Sequence, residues 1–377
     1  MSIRMAFHVT RQQPFFLALR ALAALLILWH HFAQYPPLSL WAAPWLGDVL
    51  GVFEQHARGT QVFFVIGGYA AALTMAHRRW QGAMLGRYAL ERYCRLGIPY
   101  LATLLLALPV LALARGWLPD EVVGSPVSWP QLLAHLVFLQ DILGFEALSA
   151  GLWFVCINLQ FSLLYALALT GRDTLGAAWR FPGQLLAWGL ALFSLFHLNL
   201  DPAWDVWVVF FFPYFFLGIL LHHAVRGGRA QRLAFVAYLL VLLLAVSYAW
   251  RWRLVVAMVV ALTLLVAERS GLGSKWPRAP WLLWLGECSF SLFLLHFPVL
   301  LLVAQCWARA GWTSPAAASL GLLLAFALSL GAAALFHRFV EQPAATLARR
   351  VRRGEGLSWR WRRLAAEPAT AAVSDRR

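Results

Sequence analysis

The feature that most constrains this chain is a series of long apolar stretches. A helix needs about 20 consecutive apolar residues to cross the hydrocarbon core of a bilayer, and its backbone must be hydrogen-bonded internally there. Hydrophobic residues make up 62% of the 377 residues and charged residues only 12%. We therefore predict an all-α, polytopic integral-membrane helical bundle with about ten transmembrane helices. The predicted spans are 15–35, 59–77, 96–116, 151–171, 183–200, 204–223, 232–250, 253–268, 282–306 and 316–337.

One apolar piece, 131–144, is too short to span, so it is expected to be interfacial or re-entrant. The distribution of basic residues predicts the orientation of the bundle. With a cytoplasmic N-terminus and alternating spans, both termini are cytoplasmic. All but five of the 31 Lys and Arg residues then lie on the cytoplasmic side, as the positive-inside rule requires. The five exceptions are Arg58, Arg115, Arg251, Arg253 and Arg309.

The net charge of +15 does not indicate a nucleic-acid partner. Its densest source is the C-terminal segment, which we separate as a basic cytoplasmic tail (346–377, partly disordered) from an integral-membrane domain (1–345). A polybasic segment next to a span is typical of contact with anionic membrane lipids. The four cysteines lack metal or redox spacing, and we see no Gly-rich phosphate loop. No metal site and no permanently bound cofactor are predicted.

An arginine and two histidines interrupt the first apolar run, "LRALAALLILWHHFAQY" (19–35). Eleven residues separate Arg20 from His31, about 20° beyond three full helical turns, so the two share a helix face about 16 Å apart. His30 is turned roughly 80° away. A histidine in mid-membrane is costly, so its default interpretation is functional. Snorkelling of Arg20 and a polar contact for His31 within the bundle remain the structural alternative.

These residues also resemble a known family. "LRALAALLILWHHF" is similar to the first helix of the integral-membrane acyltransferase 3 family, in which an Arg is followed, after ten residues, by a His. Gly67 departs from the pattern, because the family usually has Ser there, and the pair of acids that often precedes Gln160 is missing. Five further motifs resemble the family in its order: "GTQVFFVIGGYAAAL" (59–73), "ERYCRLGIPYL" (91–101), "LWFVCINLQFSLLYAL" (152–167), "CSFSLFLLHFPVLL" (288–301) and "HRFVEQPAA" (337–345).

The resemblance implies a multi-pass protein of the bacterial inner membrane that transfers an acyl group, most commonly acetyl. The donor would be cytosolic acyl-CoA, a co-substrate, and the acceptor a hydroxyl of an extracytoplasmic glycan or lipid-linked sugar. His31 would act as general base, because an imidazole titrates near neutral pH. Arg20, Arg92 and Arg95 would bind the phosphates of acetyl-CoA. Arg92 and Arg95, three residues apart, are expected to share a helix face, although both also fit ordinary positive-inside charge.

Five further side chains are expected to contact the acceptor or support the site. Trp153, at the outer end of its helix, would stack on a sugar or belong to the interfacial tryptophan belt. Gln61 and Tyr69 would orient a substrate or bond across helices. His296 would supply a second polar contact in the reaction chamber or only interrupt the helix before Pro298. Glu341 would anchor the inner end of the last helix to an arginine.

Two other functional classes fit the sequence. A transporter or flippase for a lipid-linked sugar would need a similar bundle, but proton-coupled carriers usually rely on intramembrane carboxylates, and the predicted spans hold few. A non-catalytic partner of polysaccharide-assembly proteins has no need of an Arg and a His in register. Acyl transfer is therefore the preferred prediction.

Overall fold

The computed structural model describes residues 13–57, 59–75 and 78–354, which form helices and no β-strand. Residues 346–353 of the predicted tail are helical, and 355–377 lie outside the described residues. π-helical turns connect α4 to α5 (Tyr93–Gly97) and α14 to α15 (His337–Glu341). The helices are α1 (Pro14–Gln34), α2 (Leu38–His56), α3 (Thr60–Met75), α4 (Gly82–Arg92), α5 (Ile98–Ala114), α6 (Asp120–Val123), α7 (Trp129–Leu136), α8 (Leu152–Leu175), α9 (Ala177–Phe196), α10 (Val208–Arg226), α11 (Arg229–Tyr248), α12 (Trp252–Ser270), α13 (Pro280–Ala310), α14 (Pro315–Phe336) and α15 (Gln342–Arg353).

All ten predicted spans coincide with helices, and the prediction of an all-α polytopic membrane bundle is confirmed. Within the described ranges, eight helices are long and apolar enough to cross a membrane. The other two predicted spans are less regular, because α3 has only 16 residues and α12 contains Arg253, Glu268 and Arg269. The eight are Pro14–Gln34, Gly82–Ala114, Leu152–Leu175, Ala177–Leu200, Val208–Arg226, Arg229–Tyr248, Pro280–Ala310 and Pro315–Arg353.

Helix α1 lies between two apolar cores. Phe16, Ala23 and Ile27 pack into one core, formed mainly by α3, α8 and α10 to α12. Leu28 and Phe32 pack into the other, with α5, α13 and α14. Because residues on different faces of α1 enter different cores, the polar residues of this helix lie where the two halves of the bundle meet.

Helix α2 is a feature that the sequence analysis missed. Pro44 and the acidic residues Asp48 and Glu54 interrupt its apolar pattern, so a connecting segment was expected there. Its first residue, Leu38, lies beside Gly321 and Trp307, and the carbonyl of its last residue, His56, accepts a hydrogen bond from Trp252. Both ends therefore lie at the same end of the bundle, and α2 runs along that surface instead of crossing.

The segment 131–144 is re-entrant. The hydroxyl of Tyr93 donates to the carbonyl of Leu136 at 3.3 Å, and that of Tyr100 donates to Oε1 of Gln140 at 3.3 Å. Tyr93 lies about 30 Å along the helix from Ala114, where α5 ends, at 1.5 Å per residue. The segment thus descends beside the inner half of α5 before the chain returns to begin α8.

The ends of the bundle differ in their arginine contacts. Arg309 donates to the carbonyl of Leu113 and Arg251 to that of Leu195 at one end. Arg78 and Arg352 approach Glu91 at the other end, at 3.9 and 3.7 Å. This grouping agrees with the alternation predicted from charge. We call the first end outer and the second end inner, following the predicted orientation.

Candidate functional site

A cavity of about 280 Å³ lies in the outer half of the bundle. Helices from both halves of the bundle line it, together with the re-entrant segment and the connection between α9 and α10. The lining residues are Ile27, His30, His31, Ala57, Gly59, Thr60, Gln61, Asp141, Trp153, Ile157, Asp205, Val206, Phe211, Arg253 and Phe293.

His31 is paired with His296 behind this cavity. Nδ1 of His31 lies 2.6 Å from Nε2 of His296, and the two rings lie edge to edge, with centroids 4.9 Å apart and planes 7° from parallel. Nδ1 of His296 lies 3.1 Å from the carbonyl oxygen of Leu292, one turn earlier in α13. The side chain of His296 is fully buried. A chain of hydrogen bonds therefore links the cavity histidine to the backbone of α13.

This chain assigns the tautomers. A carbonyl oxygen can only accept, so Nδ1 of His296 carries a proton and Nε2 of the neutral ring is an acceptor. Nδ1 of His31 must then donate to it, which leaves Nε2 of His31 unprotonated. Among the described residues Nε2 of His31 has no hydrogen-bond partner. The cavity thus contains an imidazole nitrogen held ready to accept a proton.

The start of α3 packs against α1 one to two turns before His31. Gly59 lies so close to α1 that a side chain there would collide with the carbonyl oxygen of Ala23 and with Ile27. The next residues, Thr60 and Gln61, line the cavity. Because the first backbone N–H groups of a helix lack partners within it, a helix N-terminus can stabilise negative charge. These amides can serve as an oxyanion-binding element.

Two carboxylates and a guanidinium also line the outer cavity. The sequence alone predicted no role for any of the three. Asp141 comes from the re-entrant segment, Asp205 from the connection before α10, and Arg253 from the first turn of α12. Burial raises the pKa of Asp141 to about 6, and the nearby charge of Asp205 adds to the increase. Burial also raises the pKa of Asp205, an effect that Arg253 opposes.

Gln160 holds the segment that carries Asp205. Its Nε2 donates to the carbonyl of Val206 at 3.2 Å, and its Oε1 accepts from the backbone N–H of Val208 at 2.9 Å. Helix α8 itself contributes Trp153 and Ile157 to the cavity but no acid. The carboxylates of this site therefore come from loops distant in sequence, which no local motif could indicate.

The inner end holds a second polar cluster. Oε2 of Glu341 accepts a hydrogen bond from Ser291 at 2.7 Å and pairs with Nδ1 of His337 at 2.9 Å. The charge of Glu341 acts on both Arg20 and Arg95. Arg95 and Glu341 each belong to a π-helical turn, a distortion frequent at functional sites. Glu341 was expected to anchor the helix end to an arginine, but among the described residues its ion pair is with His337. Arg20 and Arg95 interact with it only at longer range.

Arg92 and Arg95 do not share a set of partners, contrary to the expectation from α-helical spacing. Nε of Arg92 donates to the Tyr88 hydroxyl at 2.7 Å, whereas Arg95 feels the charges of Glu341, Arg349 and Arg352. The π-helical turn that begins at Tyr93 changes the register between the two arginines. Arg95 is therefore the one associated with Arg20 and Glu341.

The remaining predicted residues do not lie together in one site. Trp153 and Gln61 line the outer cavity. The hydroxyl of Tyr69 donates to Oε2 of Glu268 at 3.1 Å, so it bonds across helices and does not line the cavity with Gln61. His30 lines the cavity, although helical spacing placed it on a different face from His31. Its Nδ1 lies 3.3 Å from the carbonyl oxygen of Phe53.

The Gly67 departure has a local explanation. A Cβ atom at this position would lie 3.1 Å from Cε1 of Phe215, so a serine would require the phenyl ring to shift by a few tenths of an ångström. Within residues 13–57, 59–75 and 78–354, no three His, Cys, Asp or Glu side chains are grouped as metal ligands.

Helix α1 of this all-α membrane bundle thus carries Arg20 near its inner end and the proton-accepting His31 in the outer cavity. The chain belongs to the acyltransferase 3 family, because the family model of this acyltransferase domain matches residues 14–337, from the first residue of α1 to just beyond α14. No curated protein and no solved structure matches the chain.

Proposed function

We propose that this membrane acyltransferase transfers an acyl group, acetyl in the simplest case, from cytosolic acyl-CoA to a hydroxyl of a glycan or lipid-linked sugar on the outer side of a bacterial inner membrane. The observation that carries the proposal is the placement of α1. This one helix joins an arginine cluster at the inner end to the unprotonated Nε2 of His31 in the outer cavity. Polysaccharide-assembly proteins are the proposed partners that supply or receive the glycan.

The donor is assigned to the inner cluster. Acyl-CoA is polyanionic, and guanidinium groups suit phosphate oxygens because of their planar, forked donors. The charge of Glu341 acts on both Arg20 and Arg95 without a direct ion pair, so the phosphates can supply a further counter-charge to these two arginines. The helical rise from Arg20 to His31 is about 16 Å. An extended pantetheine arm has this order of length, which would bring the thioester to His31 while the phosphates stay at the inner end.

His31 acts as the general base in the proposed reaction. Its Nε2 accepts the proton of the acceptor hydroxyl as the hydroxyl oxygen forms a bond to the thioester carbon. The backbone amides at Thr60 and Gln61 stabilise the oxyanion. The carbon–sulfur bond then breaks, and the protonated His31 returns the proton to the leaving CoA thiolate. His296 accepts from Nδ1 of His31 throughout, so the ring keeps its orientation while its charge changes.

The test is to compare surface and periplasmic glycans by mass from cells with and without the intact gene, and from cells that produce His31→Ala. We expect an acyl-sized mass difference that disappears in both altered strains. Purified protein in nanodiscs should release CoA thiol from acetyl-CoA when the isolated glycan is added. Glycans that are unchanged in mass but reduced in amount outside the membrane would overturn the proposal and indicate a flippase.

A further inference from the structure

The outer cavity has an uneven charge pattern that the proposed transfer chemistry does not use. Asp141 lies inside it, partly buried, and Asp205 lies exposed at its mouth. Arg253 is the arginine among the described lining residues; its charge acts on Asp205, and its guanidinium lies 6.0 Å from the ring centroid of Phe210. The groups that act on Asp141 are Gln140 and Asp205. Among the described residues, Asp141 forms no ion pair with an arginine.

We propose that Asp141, Asp205 and Trp153 form an acceptor subsite for one uncharged sugar unit and that the two carboxylates exclude sugars that carry a carboxylate of their own. The inference rests on the proposed function, and it specifies the chemical class of the acceptor. It follows from the hydrogen-bonding capacity, the aromatic surface and the size of the cavity.

The hydrogen-bonding argument concerns the free carboxylate oxygens. Oδ2 of Asp141 accepts from Nε2 of Gln140 at 2.9 Å, which fixes the group and leaves its other oxygen for a ligand. An ionised carboxylate only accepts hydrogen bonds and offers about four lone-pair positions. Sugar hydroxyls are abundant donors, and their bonds to a charged acceptor are stronger than bonds between neutral groups. A sugar carboxylate would instead meet two like charges, an arrangement that discriminates strongly between ligands.

Trp153 supplies the apolar surface. Its ring packs at 5.5 Å from Phe211 and 6.4 Å from Phe64, so neighbouring aromatic side chains hold it in place. It remains partly exposed and lines the cavity. A rigid indole beside acceptor groups matches the two kinds of surface on a pyranose ring, its apolar face and its hydroxyl edge.

The size of the cavity limits the number of sugar units. Its volume of about 280 Å³ is at the lower limit of small-molecule pockets, which begin near roughly 300 Å³. One sugar unit therefore fits inside while the rest of a glycan stays outside, beyond Asp205. Asp141 and His31 line the same enclosed space, so the unit bound by the carboxylates is the one that presents its hydroxyl to Nε2.

The subsite is tested with a matched pair of acceptors. Purified protein in nanodiscs receives acetyl-CoA and either methyl glucoside or methyl glucuronide, which differ at one carbon by a carboxylate. We expect CoA release with the glucoside to exceed that with the glucuronide at least tenfold. Asp141→Asn should raise the KM for the glucoside and bring the ratio between the two acceptors close to one. Asp205→Asn should act in the same direction with a smaller effect, because Asp205 is exposed.

Glu54→Gln is the control variant, because Glu54 is an exposed acid of the outer surface that does not line the cavity. It should keep the ratio of the wild-type protein. An unchanged ratio in correctly inserted Asp141→Asn, or turnover of neither glycoside by the wild-type protein, would overturn the subsite. Identification of the acylated unit in cellular glycans as a uronic acid would overturn it as well. Failure of the proposed function is distinguishable, because no cellular glycan would then carry the acyl group.

Discussion

Nδ1 of His31 lies 2.6 Å from Nε2 of His296, and Nδ1 of His296 lies 3.1 Å from the carbonyl oxygen of Leu292. The backbone of α13 thereby determines which nitrogen of a side chain on α1 is free to accept a proton. This relationship requires that both helices keep their relative position, and extensive packing holds them together. Leu28 and Phe32 of α1 belong to the same apolar core as Leu292 and Leu295 of α13.

The two adjacent histidines provide the sharpest test of the base. His31→Ala removes the proton acceptor and should lower the rate of acyl transfer by about 10²–10⁴-fold, while acyl-CoA binding persists. His30→Ala should be much milder, because Nδ1 of His30 lies 3.3 Å from the carbonyl oxygen of Phe53 on α2. The measurement is product formation normalised to folded protein in the membrane. Severe loss only in His30→Ala would assign the base to His30 instead of His31.

His296 should behave as a positioning residue. His296→Phe removes the acceptor for Nδ1 of His31, so kcat should fall by roughly tenfold or more, though by less than the 10²–10⁴-fold of losing the base itself, while the KM for acyl-CoA stays unchanged. His296→Gln should restore part of the rate, because an amide oxygen can accept from Nδ1. The pH dependence of kcat should also shift in His296→Phe, since the base loses its partner. Equal rates for the Phe and Gln variants would argue for a packing role alone.

The sequence predicted the helices well because each apolar run is close to the bilayer thickness, so composition alone identifies it. It could not predict α2, where acids and a proline break the apolar run although the helix only borders the membrane. The π-helical turn after Arg92 changed the register in a way that α-helical spacing does not anticipate. Asp141 and Asp205 lie in separate loops, and their meeting beside His31 depends on the whole fold.

Arg20 and His31 show both what helical spacing can predict and what only the packing of the helices determines. Their spacing predicted an arginine near the inner end of a helix and a histidine near mid-membrane on the same face, and Arg20 and His31 lie in the inner cluster and the outer cavity respectively. The pairing of His31 with His296, 265 residues away in sequence, comes from the packing of α1 against α13. Periodicity within one helix contains no information about that partner.

The donor cluster is tested through CoA affinity. Arg20→Ala should weaken acyl-CoA binding about 10- to 150-fold, which corresponds to the loss of a charge-assisted hydrogen bond of about 1.5–3 kcal/mol. Arg95→Ala should act similarly, and Arg92→Ala less, because Arg92 is bonded to Tyr88. Arg180→Ala is the control, since Arg180 is an exposed arginine on the predicted inner side. Unchanged affinity in purified Arg20→Ala would remove this residue from the donor site.

The predicted orientation can be tested by cysteine labelling. In a Cys306→Ala background, which removes the exposed native thiol, Ser125→Cys should react with a membrane-impermeant reagent in intact spheroplasts. Ala230→Cys should react only after the membrane is opened. Both positions are exposed in the folded protein, so reactivity reports the side of the membrane. The reverse pattern would place Arg20 outside and rule out a cytosolic donor at that end.

Asp141 should make acceptor binding depend on pH. Because its pKa is raised to about 6, the carboxylate is charged above pH 6 and becomes neutral as the pH falls through that value. Titration of neutral-acceptor affinity from pH 8 to 5 should therefore show weakening around pH 6, and Asp141→Asn should be weak and flat over that range. Asp205, Arg253, His30 and His31 face the same cavity, so binding is measured in the His31→Ala background to remove the titration of the base. A pH-dependent affinity that survives in Asp141→Asn would assign the titration to another group.

The raised pKa of Asp141 also affects the stability of the protein. The folded state binds this proton more tightly than the unfolded state, so ionisation of Asp141 costs stability as the pH rises from about 4 to 6. Asp141→Asn should accordingly unfold at a slightly higher temperature at pH 7.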